Sequence, residues 1–382
     1  MKIVMPIYGT RPEAIKMAPI IAALQKSGTL SCVVTVTGQH RAMLDQVNEL
    51  FDIRPDHDLN ILQQRQTLSS IMTRTITGLD ELFSVSRPDA VVVQGDTTTS
   101  TAAAFAAFYH GIPVVHVEAG LRSGNLFSPF PEEGNRKVTS QIASLHLAPT
   151  SVSRANLRAE NIPDGDIVVT GNTVIDALLE TVAKNIPFTD PALEEVAASG
   201  KKVLLVTTHR RENQGEAMQG VGRALARIAN SEPDLAIVLP IHKNPVVREA
   251  VLPQIGGRTN ILVTEPLSYG EFTRLLSVSS VVLTDSGGVQ EEAPSLGKPV
   301  LVMRDNTERP EAVTAGTVRL IGTDEERIVH EVSRLLNDQE YYSSMANAIN
   351  PYGDGHAAAR TVAAIESLLG LGDRIEDFSS LY

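Results

Sequence analysis

Three carboxylates stand where an acid or a base would be useful. Asp96 in QGDTTTS, Glu118 in HVEAGLRS and Glu132 in PFPEEGNR each lie just beyond an apolar β-branched run or on the loop that follows one. Carboxylates so placed can move protons near neutral pH when their surroundings raise their hold on a proton. Each also has a plainer reading. Asp96 can cap a helix starting at Thr98, and Glu132, beside Glu133 after two prolines, can be a first-turn helix charge. Glu118 is harder to treat that way, because an idle acid directly at the end of an apolar strand is costly. His209, followed by Arg210 and Arg211 after the run VLLVTT, is a candidate contact to a phosphate or a leaving group. His40, His116 and His242 also fall near loop ends, whereas His57, His110, His146, His330 and His356 carry no supporting pattern.

Anion binding has its own candidates. In DSGGVQEE, Ser286 can cap a helix beginning near Val289, while Gly287 and Gly288 let backbone N–H groups approach a phosphate. The motif alone does not separate that role from an ordinary glycine-assisted turn. In GTRPE, Thr10 and Glu13 have capping-box spacing with Pro12 in the first turn, and Arg11 stands as a second phosphate clamp or a solvated first-turn residue. Other nucleotide and hydrolase motifs are missing: there is no GxxxxGK[ST], no HExxH and no GxSxG. The GxGxx[GA] match at Gly353, Gly355 and Ala358 follows NPY rather than a strand, so it is no dinucleotide fingerprint.

These residues need a scaffold, and the chain supplies one by alternation. Strands are predicted at 2–6, 31–37, 89–94, 113–117, 145–148 and 166–169, and again at 202–207, 235–240, 260–264, 280–284, 299–303 and 317–321. Helical patterns separate them, which implies parallel sheets covered on both faces and one doubly wound α/β domain per half. The first domain takes residues 1–170 plus a C-terminal helix within 355–382, and the second takes 171–354. In open parallel sheets ligands bind beyond the carboxyl ends of the strands, where all the candidates above lie, so an interdomain site is expected. No low-complexity tract or short repeat is present.

Composition narrows the classes of function. The 382 residues carry a formal charge of −12, which disfavours broad nucleic-acid binding. The single cysteine, Cys32, allows neither an internal disulfide nor a cysteine-rich zinc site. The N-terminus lacks a signal-peptide pattern and the least polar stretch, 101–117, is broken by His and Pro, so a soluble cytoplasmic protein without a membrane partner is expected.

Taken in order, GTRPEAIKMAP, QGDTTTS, HVEAGLRS, PEEGNR, TGNTVIDAL, THRREN, LTDSGGVQEEAPSLGKPVLVMRDNTERPE and NPYGDG resemble the non-hydrolysing UDP-N-acetylglucosamine 2-epimerases of bacteria over nearly the whole chain. The resemblance implies a GT-B fold of two Rossmann-like domains and interconversion of UDP-GlcNAc and UDP-ManNAc for surface polysaccharides. It implies removal of the sugar C2 proton, expulsion of UDP to leave 2-acetamidoglucal, and return of UDP with protonation of the opposite face. Asp96, Glu118 and Glu132 match the family's catalytic acids and His209 its active-site histidine. Arg11, Lys16, Ser286, Gly287 and Gly288 match diphosphate contacts, Glu292 a ribose contact, Phe272 the uracil neighbourhood and Arg309 a further nucleotide-side residue. Neither a metal nor a cofactor is implied; a homodimer is. Gln39, Arg65, Glu132, Arg210 and His242 match a shell that binds UDP-GlcNAc as an effector, with Ala42 where the family has a second glutamine. A GT-B glycosyltransferase, a UDP-sugar sensor and a hydrolysing or modified-sugar epimerase are the rivals. The acids of the first half argue against the first two, neither of which needs a proton carrier at C2.

Overall fold

Buried parallel strands need side chains that fill both faces of a sheet, and the β-branched runs of this chain do so. The structure, a computed structural model, describes residues 1–39, 41–63 and 65–380; His40 lies outside them, as does the side chain of Ala42. The chain divides into two compact units, residues 1–177 with 352–379, and residues 178–351.

The first unit holds β1 (Lys2–Tyr8), β2 (Leu30–Cys32), β3 (Thr35–Val36), β4 (His57–Asp58), β5 (Ala90–Gln94), β6 (Val114–Val117), β7 (Leu145–Ala148) and β8 (Ile167–Val169). They form one parallel sheet in the order β4-β3-β1-β5-β6-β7-β8, with β2 beside the first half of β1. The predicted strand 31–37 is thus two strands. They flank a gap opposite Met5 and Pro6, and Pro6 has no N–H to give to a ladder. Strand β4 is an addition of two residues: Val34 donates its N–H to Asp56 and accepts those of Asp56 and His57, which brings the segment to the sheet edge.

Val91 and Val93 of β5 and Met5 and Ile7 of β1 pack against Leu79 and Phe83 of the helix Leu68–Val85 and against alanines of the helix Thr98–Tyr109. Alanine lets that second helix lie close to the sheet, so the apolar stretch around it is core. The C-terminal helix Ala357–Leu368 packs against the helix Arg11–Lys26. Asp176 fastens it by accepting the N–H groups of Ala357 and Ala358. Gly171 makes the return possible: its φ is +81°, and a Cβ there would lie 3.3 Å from the Cα of Gly353.

The second unit holds β9 (Val203–Thr207), β10 (Ala236–Pro240), β11 (Ile261–Thr264), β12 (Val281–Thr284), β13 (Val300–Val302) and β14 (Val318–Leu320), all parallel, in the order β11-β10-β9-β12-β13-β14. Val221, Leu225 and Ile228 of the helix Glu216–Ser231, with Ile328 and Val332 of the helix Glu325–Asn337, cover one face. Each fully buried side chain of this kind is worth about 1.5–3 kcal/mol in transfer from water.

Strand order reverses beside β1 and β5 in the first sheet and beside β9 and β12 in the second. Such points open a crevice between loops that leave in opposite directions. GTRPE and GDTTTS flank the first crevice, and THRREN and DSGG flank the second. Among the described residues, no helix is long and apolar enough to cross a membrane.

Candidate active site

In the first unit the chain turns sharply after β6, and Glu118 takes a φ of +60°, a left-handed conformation that costs a non-glycine residue about 1–2 kcal/mol. Strain of this kind persists where surrounding contacts over-determine it. Lys16, one turn into the helix Arg11–Lys26, places its ammonium 2.6 Å from both carboxylate oxygens of Glu118. Gln94, at the end of β5, donates an amide N–H to one oxygen, and Asn172 donates to the other at 3.1 Å. The expected diphosphate contact Lys16 is therefore committed to an acid in this structure. Gln94 in QGDTTTS and Asn172 in TGNTVIDAL are site residues whose contact with Glu118 their motifs do not reveal.

Asp96 lies next to this cluster. Burial pushes its carboxyl above the usual range, and Arg136 and Lys16 pull against that rise while Glu118 and Glu132 add to it. It does not cap the helix Thr98–Tyr109; Thr97 does, accepting the N–H of Ser100. Arg136 donates to Asp96 at 2.5 Å and to Glu133 at 3.0 Å. Glu133 in turn accepts the N–H groups of Ser123 and Gly124 and ties down the loop between the acids. Those bonds and Arg136 outweigh burial and hold Glu133 below the usual carboxylate range.

Glu132 is the first residue of the helix Glu132–Ile142, so the helix-charge reading describes its place. Its Oε2 is nonetheless buried without a hydrogen-bond partner among the described residues. Beneath the loops, His116 bonds through Nε2 to the carbonyl of Gly95 at 2.7 Å, and burial pushes its pKa down to about 3. It is a neutral strut under Asp96. Glu13 fulfils the capping-box expectation, accepting the N–H of Thr10 at 2.8 Å. It also accepts the Thr97 hydroxyl at 2.7 Å, joining the two crevice loops. Arg11 has no ion-pair partner among the described residues.

In the second unit β9 delivers His209, whose Nδ1 lies 3.1 Å from Oδ1 of Asp285 at the end of β12. His242, after β10, stacks on the His209 ring at 5.9 Å and 26°. Arg210 reaches Glu308 at 3.7 Å and bonds the Asp285 carbonyl. Ser286 stands at the N-cap of a helix that begins at Gly287, earlier than expected, and its hydroxyl makes no capping bond. Its N–H is held instead by the Thr284 hydroxyl at 2.9 Å. Arg309 donates to Glu291 at 2.6 Å and lies over Gly287, where a Cβ would fall 2.8 Å from its Nη1. A Cβ at Gly288 would meet nothing within 4 Å, so its backbone is open to a ligand. Glu292 accepts from Tyr269 at 3.2 Å. Phe272 is half-buried on the helix Tyr269–Val278.

Gln39 accepts from Thr99 at 2.7 Å, and Arg65 is exposed at a φ of +56°. Among the described residues, no group of three or more His, Cys, Asp or Glu is arranged to hold a metal ion.

The family model described as UDP-N-acetylglucosamine 2-epimerase matches residues 22–366 of the chain. The UDP-N-acetylglucosamine 2-epimerase of Escherichia coli K12 is 52% identical over 377 residues, covering 95% of this chain and 98% of that one. The chain belongs to the UDP-N-acetylglucosamine 2-epimerase family. A solved structure of such an epimerase is 49% identical, with full coverage of both chains and a TM-score of 0.92. The Neisseria meningitidis UDP-GlcNAc 2-epimerase, solved bound to UDP-GlcNAc, is 48% identical over 96% of this chain and 100% of that one, with a TM-score of 0.84. The fold is accordingly the GT-B class, with two Rossmann-like domains. An epimerase relocates one proton with no net oxidation, and carboxylates in contrasting surroundings are able to do so.

Proposed function

We propose that this chain interconverts UDP-GlcNAc and UDP-ManNAc through elimination of UDP and its re-addition to 2-acetamidoglucal. The contrast between Glu118 and Asp96 carries the reading. An ammonium 2.6 Å from both oxygens favours the ionised form of Glu118, suiting it to accept the C2 proton. Burial favours the protonated form of Asp96, suiting it to donate one. Glu132, whose buried Oε2 has no hydrogen-bond partner among the described residues, is the third proton carrier. His209 and Arg309, with the backbone at Gly287 and Gly288, receive the diphosphate as negative charge grows on it. Glu292 faces the ribose and Phe272 the base, and Arg11 and Ser286 add diphosphate contacts. The solved relative bound to UDP-GlcNAc supports the choice of nucleotide sugar.

The product serves surface polysaccharide synthesis, and the working form is a cytoplasmic homodimer. UDP-GlcNAc also acts as an effector at Gln39, Arg65, Glu132, Arg210 and His242. Adding a little of it to UDP-ManNAc should raise the initial rate, and Ala42→Gln should lower the amount needed.

Incubation with UDP-GlcNAc in deuterated water tests the reaction. NMR should show deuterium at C2 in both UDP-GlcNAc and UDP-ManNAc at equilibrium. Free ManNAc accumulating in place of UDP-ManNAc would establish hydrolysis, and no exchange at C2 would refute the elimination.

A further inference from the structure

Asp285 has no exposed surface, yet hydrogen bonds from several groups converge on it, and they divide between its two oxygens. Oδ2 accepts the Thr208 hydroxyl at 3.0 Å, the backbone N–H of His209 at 2.9 Å and of Arg210 at 3.0 Å, and the Asn213 amide at 3.2 Å. Those bonds shape the loop after β9. Oδ1 faces the imidazole of His209 at 3.1 Å, with one longer contact of 3.2 Å to the same residue's N–H. A carboxylate serving only the loop would have no need of the second oxygen's placement.

We infer that Asp285 is the positioning residue of His209, holding its Nδ1 protonated so that Nε2 is the atom presented to ligand. The inference rests on the role proposed above for His209 at the diphosphate. A neutral imidazole donates from one nitrogen and accepts at the other, and an acceptor fixed at Nδ1 decides which. The same acceptor stabilises the imidazolium, whose Nε2–H can then bond an oxygen of the departing diphosphate. Among the described residues the groups in contact with the ring are Asp285 from the end of β12 and His242 from the loop after β10; Arg210, next along the chain, turns instead to Glu308 and the Asp285 carbonyl. Asp285 is the carboxylate in direct contact. Burial would push it up, but bonds from His209 and the backbone of Arg210 outweigh that and hold it below the usual range. The His209 ring stays 43% exposed, so a ligand can reach it.

Asp285→Asn separates the two jobs. Its amide oxygen can keep the Oδ2 bonds, the stronger of the two from the His209 N–H included, while its NH2 gives up the 3.2 Å contact to that N–H, faces Nδ1 and forces the opposite tautomer. Three results are expected. Thermal stability stays near the parent, the His209 ring moves its neutral-state proton from Nδ1 to Nε2, read from its 15N NMR shifts in the unliganded protein, and kcat falls at least ~10²-fold. In His209→Asn, adding Asp285→Asn should lower kcat by less than about threefold, because nothing remains to position. An unchanged His209 tautomer, or a full further loss in the double variant, would overturn the inference. The tautomer measurement needs no substrate, so its outcome is independent of whether UDP-GlcNAc is the sugar used.

Discussion

Replacing Lys16 by methionine removes the ammonium from both oxygens of Glu118 while keeping most of the side chain's length. The Lys16 side chain is 19% exposed and that of Glu118 6%, so water cannot take over the lost charge. Removing one partner of a buried pair costs about 3–5 kcal/mol, and the amides of Gln94 and Asn172 remain to offset part of it. About 3 kcal/mol spent on the base is roughly 10²-fold in turnover. The expected result is a kcat some 10² to 10³ lower, slower C2 exchange in deuterated water, and a UDP affinity within a factor of a few by calorimetry. Glu118→Gln in the same chain should restore the thermal stability that Lys16→Met removes, since no charge is then left alone. If Lys16→Met instead weakens UDP by tenfold or more and leaves kcat intact, the ammonium serves the diphosphate, and the base assignment built on its contact fails.

Asp96→Asn should lower kcat by ~10² or more with UDP binding retained; unchanged turnover would reduce Asp96 to a partner of Arg136. Gly287→Ala puts a methyl 2.8 Å from Nη1 of Arg309 and must push the guanidinium off Glu291. UDP affinity should fall roughly 10- to 100-fold by calorimetry, the worth of one charged hydrogen bond, and native affinity would remove Arg309 from the nucleotide site. Stability should also follow His116. An unfolded histidine protonates near 6.5 while the buried ring stays neutral down to about 3, so the unfolded chain binds the extra proton between those values. Unfolding free energy should fall by about 1.4 kcal/mol per pH unit below about 6.5, with His146 adding in the same direction. Urea midpoints from pH 7 to 5.5 check this, and a slope that His116→Asn leaves unchanged would assign it elsewhere.

Strands buried on both faces announce themselves as β-branched runs, which is why Ala90–Gln94 and Val203–Thr207 are readable from residue order. His57–Asp58 has no such run, and it joins the sheet through bonds around Val34 and Asp56 that only folding creates. The same divide runs through the candidate site. Asp96, Glu118 and His209 are visible because parallel sheets gather ligand groups beyond strand ends. Gln94 and Asn172 meet Glu118 from 24 and 54 residues away, and their types suggest nothing until the chain brings them there. Asp285 sits inside a motif whose glycines and serine draw the eye to anions, while its own partners come from the loop after β9.

The return of residues 352–379 to the first unit bears on how the protein is made. The helix that completes this unit leaves the ribosome after the whole of the second unit. At about 5–20 residues per second, the roughly 170 intervening residues take some 10 to 35 seconds to synthesise. Through that interval the face of the helix Arg11–Lys26 that will meet Ala357–Leu368 has no cover, and Asp176 has no N–H groups to accept. The continuous second unit can finish first, and the unit that begins the chain is the last to close. Chaperones that shield nascent apolar surface should therefore engage the early segment for longer than its own length would require.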